Sequence, residues 1–276
     1  MHIESIASSG GAPLSTAVNA EAWPHRANIL GVGVSALNMG SALGTFDRWI
    51  ASGARHYVCV ADVHSIMQGQ WRAGQRDILN KAGMVTPDGM PLVWLCRAEF
   101  GASVNRVYGP DLLMAVCEHS IGRGYKHFFY GGGEGVAEKL GEILQRSFPG
   151  LEVCGSYCPP FRPLSVEEED EVAARINAAD PHFIWVGLST PKQEQWMARM
   201  RDRLNAPALI GIGAAFDFHS GAKPQAPLFV QRSGLEWLFR LVTEPRRLWP
   251  RYRKVIPGFI GRIILQKTGL VRFDLN

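Results

Sequence analysis

Thr86-Pro87-Asp88-Gly89-Met90-Pro91 sets a carboxylate between a short apolar run and a helix-forming stretch. Two roles fit it. Asp88 can cap the helix, or, held ionised by the helix dipole, it can serve as a general base. Gly131-Gly132-Gly133-Glu134-Gly135 also joins an apolar run to a helical one. Such glycines form a plain tight turn, or they let backbone N–H groups approach a phosphate. The run meets the dinucleotide pattern G-x-G-x-x-G only in part, because Val136 takes the last glycine's place. In Gly187-Leu188-Ser189-Thr190-Pro191-Lys192-Gln193-Glu194, Thr190 and Gln193 fit a capping box with Pro191 opening the helix. That leaves Lys192 over, and a lysine at a helix start suits an anionic ligand. Gly211 to Phe218 combines small residues with Asp217, which fits either a ribose or sugar hydroxyl or a local turn. Asp62-Val63-His64 closes a further apolar run. His64 and His219 lack metal-ligand spacing and read as packed or solvent-facing.

These segments must be positioned by elements that the hydrophobic pattern delimits. Strands are expected at 28–34, 57–60, 84–86, 127–130, 151–155, 183–187 and 208–213. Helices are expected at 41–51, 74–81, 91–97, 110–121, 136–147, 166–178 and 192–204. This alternation predicts an α/β fold, a Rossmann-like parallel sheet with right-handed crossovers. Ligands in such sheets bind beyond the C-terminal strand ends, where the chemistry-bearing segments fall.

The chain has 276 residues, 46% of them apolar and 20% charged, which excludes a disordered or fibrous protein. Residues 1–25 are rich in Ser, Ala and Gly without a period and read as a mobile leader, with no secretory signal. No apolar run is long enough to span a bilayer. The net charge of +4 is too mild to argue for a nucleic-acid partner, but it is unevenly spread. From Arg240 onward nine basic residues face only Glu244 and Asp274, a net +7 that leaves −3 for residues 1–239. Leu, Trp and Phe mix with Arg in this tail, and Pro245 and Pro250 are expected to break it into short helices. Such a segment suits an anionic bilayer surface or a pyrophosphate, or forms a solvated helix pair. The division expected is therefore an α/β domain over 26–234 and a basic amphipathic appendage over 235–276. Cys59, Cys96, Cys117, Cys154 and Cys158 are odd in number and scattered, which fits reduced thiols and no metal site.

Read together in order, these motifs resemble the WecG/TagA/CpsF family of bacterial glycosyltransferases. The resemblance runs from about Asn28 to Phe259. It rests on Thr86 to Gly89, Val107-Gly109-Asp111, Phe129 to Gly133, Phe148-Pro149, Val186-Gly187 with Pro191 to Glu194, and Gly213 through Phe216-Asp217-Phe218 to Gly221. Ala226-Pro227, Gly234 to Trp237, Arg240 and Glu244-Pro245-Arg246 complete it.

The resemblance implies an inverting transfer of a hexose or N-acetylhexosamine from a UDP-sugar to a polyprenyl-pyrophosphate-linked saccharide. It implies surface-polysaccharide synthesis by a cytoplasmic protein bound peripherally at the inner face of the plasma membrane, with no cofactor or metal and with self-association open. The family's base falls on Asp88 and its donor-side glutamine on Gln193. Its appendage arginines fall on Arg240, Arg246, Arg247, Arg251 and Arg253. Asp62, His64, Thr86, Gly131, Gly132, Gly133, Gly187, Lys192, Glu194, Phe216 and Asp217 complete the expected substrate contacts. The chain departs from the family twice. Val60-Ala61-Asp62 replaces a frequent Thr-x-Asn, which makes Asp62 a rival base, and Gln225-Ala226-Pro227 replaces Arg-Ala-Pro. Val63-His64 and Asp88 to Trp94 lean toward exopolysaccharide glucosyltransferase-type members. The alternatives are a non-catalytic nucleotide-binding module and a nicotinamide-dependent oxidoreductase.

Overall fold

The computed structural model describes residues 23–221 and 225–275. Most of the expected leader lies outside them. The stretch expected as one buried strand is a hairpin of β1 (Arg26–Ile29) and β2 (Val32–Ser35), paired antiparallel. Its two-residue turn needs positive φ at both central positions, and Leu30 (φ 53°) and Gly31 (φ 77°) supply it. Leu30 is an unusual choice, and the fold holds it there. Its side chain is fully buried, its N–H donates to Gln266 Oε1 at 3.0 Å, and its carbonyl accepts from Gln70 Nε2 at 2.6 Å. A turn built around a buried leucine gives no periodicity signal.

The main sheet contains β3 (His56–Ala61), β4 (Met84–Pro87), β5 (Lys126–Gly131), β6 (Glu152–Tyr157), β7 (Phe183–Gly187) and β8 (Ala208–Gly211). All pairings are parallel, in the order β4-β3-β8-β7-β5-β6. Before β8 the connecting helices are α1 (Met39–Ser52), α2 (Val63–Trp71), α3 (Gln75–Lys81), α4 (Met90–Phe100), α5 (Gly109–Ser120), α6 (Val136–Ser147), α7 (Val166–Ala178) and α8 (Lys192–Met200). After it come α9 (Ala215–His219), α10 (Leu228–Arg232), α11 (Glu236–Thr243) and α12 (Pro245–Lys267).

Strand alternation sends successive residues to opposite faces and so divides the core in two. Tyr57, Cys59, Phe128, Tyr130, Ile184 and Val186 pack against α2, α3, α4, α7, α8 and α12. Val58, Val60, Phe129, Phe183, Trp185 and Ile210 pack against α1, α5, α6 and α9. With both faces covered, the strands read as near-continuous apolar runs, as buried parallel strands should.

Two local expectations need correction. Asp62 does not merely end a strand: it is the N-cap of α2, accepting from the Ser65 N–H at 2.9 Å. The tail is also less broken than its prolines suggest. Pro245 opens α12, but Pro250 and Pro257 lie inside it. Both prolines, and Arg246 and Arg253 four residues before them, are exposed. The carbonyls that lose a donor therefore lie on the solvent side, while buried Leu248, Val255 and Phe259 fix the other side of the helix. Gln266 Nε2 donates to the Asn28 carbonyl at 3.0 Å, so the end of α12 is tied back to the hairpin.

Gly131 shows why a glycine run sits at the end of β5. A Cβ there would lie 2.8 Å from the Gly187 carbonyl oxygen, and φ is +108°. Gly131→Ala is expected to cost about 2–4 kcal/mol in urea denaturation. Gly135→Ala, at φ +73° but in open space, should cost about 1 kcal/mol. Equal losses would show that the close approach of β5 to β7 is not what demands glycine.

Candidate active site

The parallel sheet brings its C-terminal strand ends to one side, where they floor a cleft of about 710 Å³. Asp62 follows β3, Asp88 follows β4, Gly132 and Gly133 follow β5, and Gly187 and Ser189 mark the end of β7. Gly213, Phe216 and Asp217 come from the turn after β8 and from α9. Across the opening stand Arg240 of α11 and Arg247 and Arg251 of α12. Acidic groups on the body thus face cations on the tail.

The glycines on the floor are explained mainly by packing. The Gly132 N–H donates to the Gly187 carbonyl at 3.0 Å, so it is not free to hold a phosphate. A Cβ on Gly187 would lie 2.8 Å from the Phe216 ring. Gly135 precedes α6 in a left-handed conformation with no side-chain cap. The resemblance to a dinucleotide loop therefore comes from two strands and one phenyl ring meeting closely.

The segment after β7 also differs from its expected capping box. Thr190 donates to Glu194 Oε1 at 2.8 Å instead of capping a backbone amide, and Gln193 Nε2 donates to the same oxygen at 3.2 Å. Pro191 is the N-cap of α8, and there is no side-chain cap. Ser189, just before Thr190, is left-handed at φ 64°. Glu194 is fully buried, and burial pushes its carboxyl above the ordinary range. Its second oxygen and Gln193 Oε1 have no hydrogen-bond partner. Gln193 is only 3% exposed and lies along the cleft, so its orphaned carbonyl is an acceptor without a donor. Lys192 lines the cleft with its ammonium 5.2 Å from the Phe161 ring centre.

Asp88 is not a helix cap, because α4 is capped by Gly89. Its carboxyl enters a charged cluster. Arg106 donates from Nη2 to Asp88 Oδ1 at 3.3 Å and to Glu236 Oε2 at 2.6 Å. Arg106 Nε donates to the Asp88 carbonyl, and the guanidinium lies 3.9 Å over the Tyr108 ring. The Tyr108 hydroxyl donates to Glu236 Oε1 at 3.0 Å. Burial pushes the Asp88 carboxyl up to about 7, opposed by Arg106 and Arg240 and reinforced by Glu236 and Asp62. The expectation that the helix dipole would dominate and favour the ionised form is thus reversed, because desolvation outweighs it. His64 is also buried enough to hold its imidazole below the ordinary value, and its Nδ1 has no partner.

A second cavity, of about 400 Å³, opens on the other side of Asp88. Met90, Pro91 and Trp94 of α4 face Trp237 of α11 and Val255 and Phe259 of α12. This cavity is mostly apolar. Asp62, His64, Asp88, Tyr108 and Arg240 line both cavities, so the two meet at the carboxylates.

Not every expected contact reaches this place. Thr86 is fully buried beneath the floor, with its hydroxyl donating to the Val107 carbonyl at 3.4 Å. Gly131 and Glu194 lie behind the lining, and Arg246 and Arg253 are exposed on the outer side of α12. A helix presents only part of its circumference to a cleft, and the spacing of 247 and 251 selects that face. Arg106, Tyr108 and Glu236 were not assigned a role from sequence, although Glu236 lies within the segment Gly234 to Trp237 and the other two flank Val107. Arg and Tyr two apart in an extended segment can face the same way.

Comparison with known proteins bears on what such a site belongs to. The profile of the Glycosyl transferase WecG/TagA/CpsF family matches residues 27–272. A protein of Bacillus spizizenii strain W23 is 31% identical over 187 residues, which is 68% of this chain and 70% of that protein. It is named N-acetylglucosaminyldiphosphoundecaprenol N-acetyl-beta-D-mannosaminyltransferase. A Bacillus subtilis strain 168 protein of the same name is 27% identical over 175 residues, 63% of this chain and 66% of that one. With the profile spanning nearly all the described residues, the chain belongs to the WecG/TagA/CpsF family of glycosyl transferases.

Proposed function

We propose that this protein transfers a hexose or N-acetylhexosamine from a UDP-sugar to a polyprenyl-diphosphate-linked saccharide, with inversion at the anomeric carbon. The observation that carries the reading is the meeting at Asp88 of a mixed cleft lined by charged side chains and a mostly apolar cavity. The larger cleft, with Gln193, Asp217 and Lys192 along it, takes the nucleotide sugar. The apolar cavity under α11 and α12 takes the first isoprene units of the acceptor, which places the acceptor saccharide between the two.

Asp88 then accepts the proton of the attacking hydroxyl. The freed oxygen pair forms the new bond to the anomeric carbon from the face opposite the diphosphate. The old carbon–oxygen bond breaks, and its electrons leave on UDP. Arg240, Arg247 and Arg251 oppose the charge that develops there, acting in a partly desolvated cleft where such donors count most.

The tail also supports a place at the membrane. None of the described helices is long and apolar enough to cross a bilayer. Yet Trp237, Leu238, Val242, Trp249, Ile260 and Ile264 on α11 and α12 are exposed, beside exposed Arg246, Arg253 and Lys254. This mixture fits the interface of an anionic leaflet. Residues 26–234 then act as the catalytic domain and 235–276 as the appendage that delivers the acceptor.

The test is transfer by the full chain on anionic vesicles carrying N-acetylglucosaminyl-diphosphoundecaprenol. UDP-N-acetylmannosamine and UDP-glucose are supplied in parallel, and the anomer of the lipid product is read by NMR. A lipid-linked disaccharide with inverted configuration is expected from one donor. UDP binding without any lipid product would favour a nucleotide-binding module, and NAD binding without UDP binding would overturn the reading.

A further inference from the structure

Arg106 is shared by two carboxylates that arrive from different parts of the chain. Asp88 belongs to the turn after β4, and Glu236 opens α11 of the appendage. The same Nη2 reaches Glu236 at 2.6 Å and Asp88 at 3.3 Å. The side chains of Arg106, Asp88 and Glu236 are only 18%, 22% and 13% exposed, so water screens the competition poorly. The guanidinium cannot swing away freely, being stacked on Tyr108 and tied through Nε to the Asp88 carbonyl. Tyr108 in turn holds the other Glu236 oxygen.

We propose that Glu236 is a positioning residue of the appendage which, by drawing Arg106 toward itself, leaves the Asp88 carboxylate free to take a proton. When α11 is seated, Arg106 gives its shorter charge-assisted bond to Glu236. When α11 lifts, Asp88 is the carboxylate left to Arg106, and an ion-paired carboxylate is a weaker base. Seating of the appendage is thereby coupled to the basicity of the site. This inference rests on the reading of Asp88 as the base. The other charges facing Asp88 act in known directions: Asp62, at the start of α2, works with Glu236, and Arg240 of α11 works against it. Arg251 of α12 reaches the site through its interaction with Asp62.

The experiment is a carbon-13 carboxyl titration of Asp88 in the full chain, the resonance being assigned by its loss in Asp88→Asn. Glu236→Gln keeps an acceptor for Arg106 and Tyr108 but removes the charge. It should lower the Asp88 midpoint by about one pH unit. The acid limb of kcat should move down with it, while the plateau kcat falls about three- to tenfold and KM for the donor stays within about twofold. Glu236→Asp keeps the charge but withdraws it by one methylene, so its midpoint should fall between the other two. A midpoint at the wild-type value in both variants overturns the proposal, as does a purely structural loss of turnover with an unmoved acid limb. The titration does not depend on turnover. Normal activity of Asp88→Asn would therefore overturn the base assignment separately and leave the measured coupling standing.

Discussion

Asp88→Asn is expected to cut turnover by about 10²- to 10⁴-fold, the range a positioned general base contributes, while UDP affinity stays within about twofold. The same substitution should stabilise the protein. Burial raises the Asp88 carboxyl from an ordinary 3.8 to about 7 in the fold. The folded state therefore holds this proton more tightly than the unfolded chain does. Its contribution to stability is present in full below about pH 4, is lost as pH rises toward 7, and is flat above that. The Tm advantage of Asp88→Asn should grow across that window and then level off, on the order of a few degrees. Calorimetry at pH 5 and pH 8 checks the sign. Wild-type turnover would leave Asp62, which lines both cavities, as the next candidate base.

The second large effect concerns Arg240. It lines both cavities and faces Asp88 and Asp62 from the appendage side. Arg240→Ala should lower kcat by about 10²- to 10³-fold, comparable to losing one donor to developing negative charge, and should weaken UDP binding. Its pH signature separates it from a folding defect. Arg240 favours the ionised form of Asp88, so its removal should move the acid limb of kcat to higher pH. That is opposite in sign to the effect expected of Glu236→Gln. A pH-rate profile of unaltered midpoint, with UDP affinity and turnover retained, would remove Arg240 from the site.

Much of this architecture was legible in the sequence, and for definite reasons. Buried parallel strands must be apolar over four to six residues, and the helices between them must carry a 3.6-residue stripe, so alternation predicts a parallel sheet, although the first of the seven expected strands is the separate hairpin. That topology also gathers the strand ends, so Asp88, Gly187, Gln193 and Asp217 had to approach one another although they lie far apart in sequence. Other features were misread because their causes are not local. The Leu30-Gly31 turn is held by Gln70 and Gln266, and Gln266 is more than two hundred residues away. The continuity of α12 through Pro250 depends on the face that Val255 and Phe259 bury against the body. The Thr190 and Gln193 side chains turn to the buried Glu194 carboxylate instead of a backbone amide, after a left-handed Ser189 that residue types alone do not reveal.

The alternation of strands and helices and the order of the chemistry-bearing segments follow from residue type and spacing, since hydrophobic period and glycine placement are properties of the chain itself. Where the charges meet does not. Arg106 and Glu236 are 130 residues apart, and nothing in the motifs beside them says that they meet. The docking of α11 brings them to one carboxylate, and burial there, reinforced by Glu236 and Asp62, raises its proton affinity. A pKa is set by the solvent a fold removes and the charges it assembles, so the chemical character of Asp88 is a property of the tertiary structure.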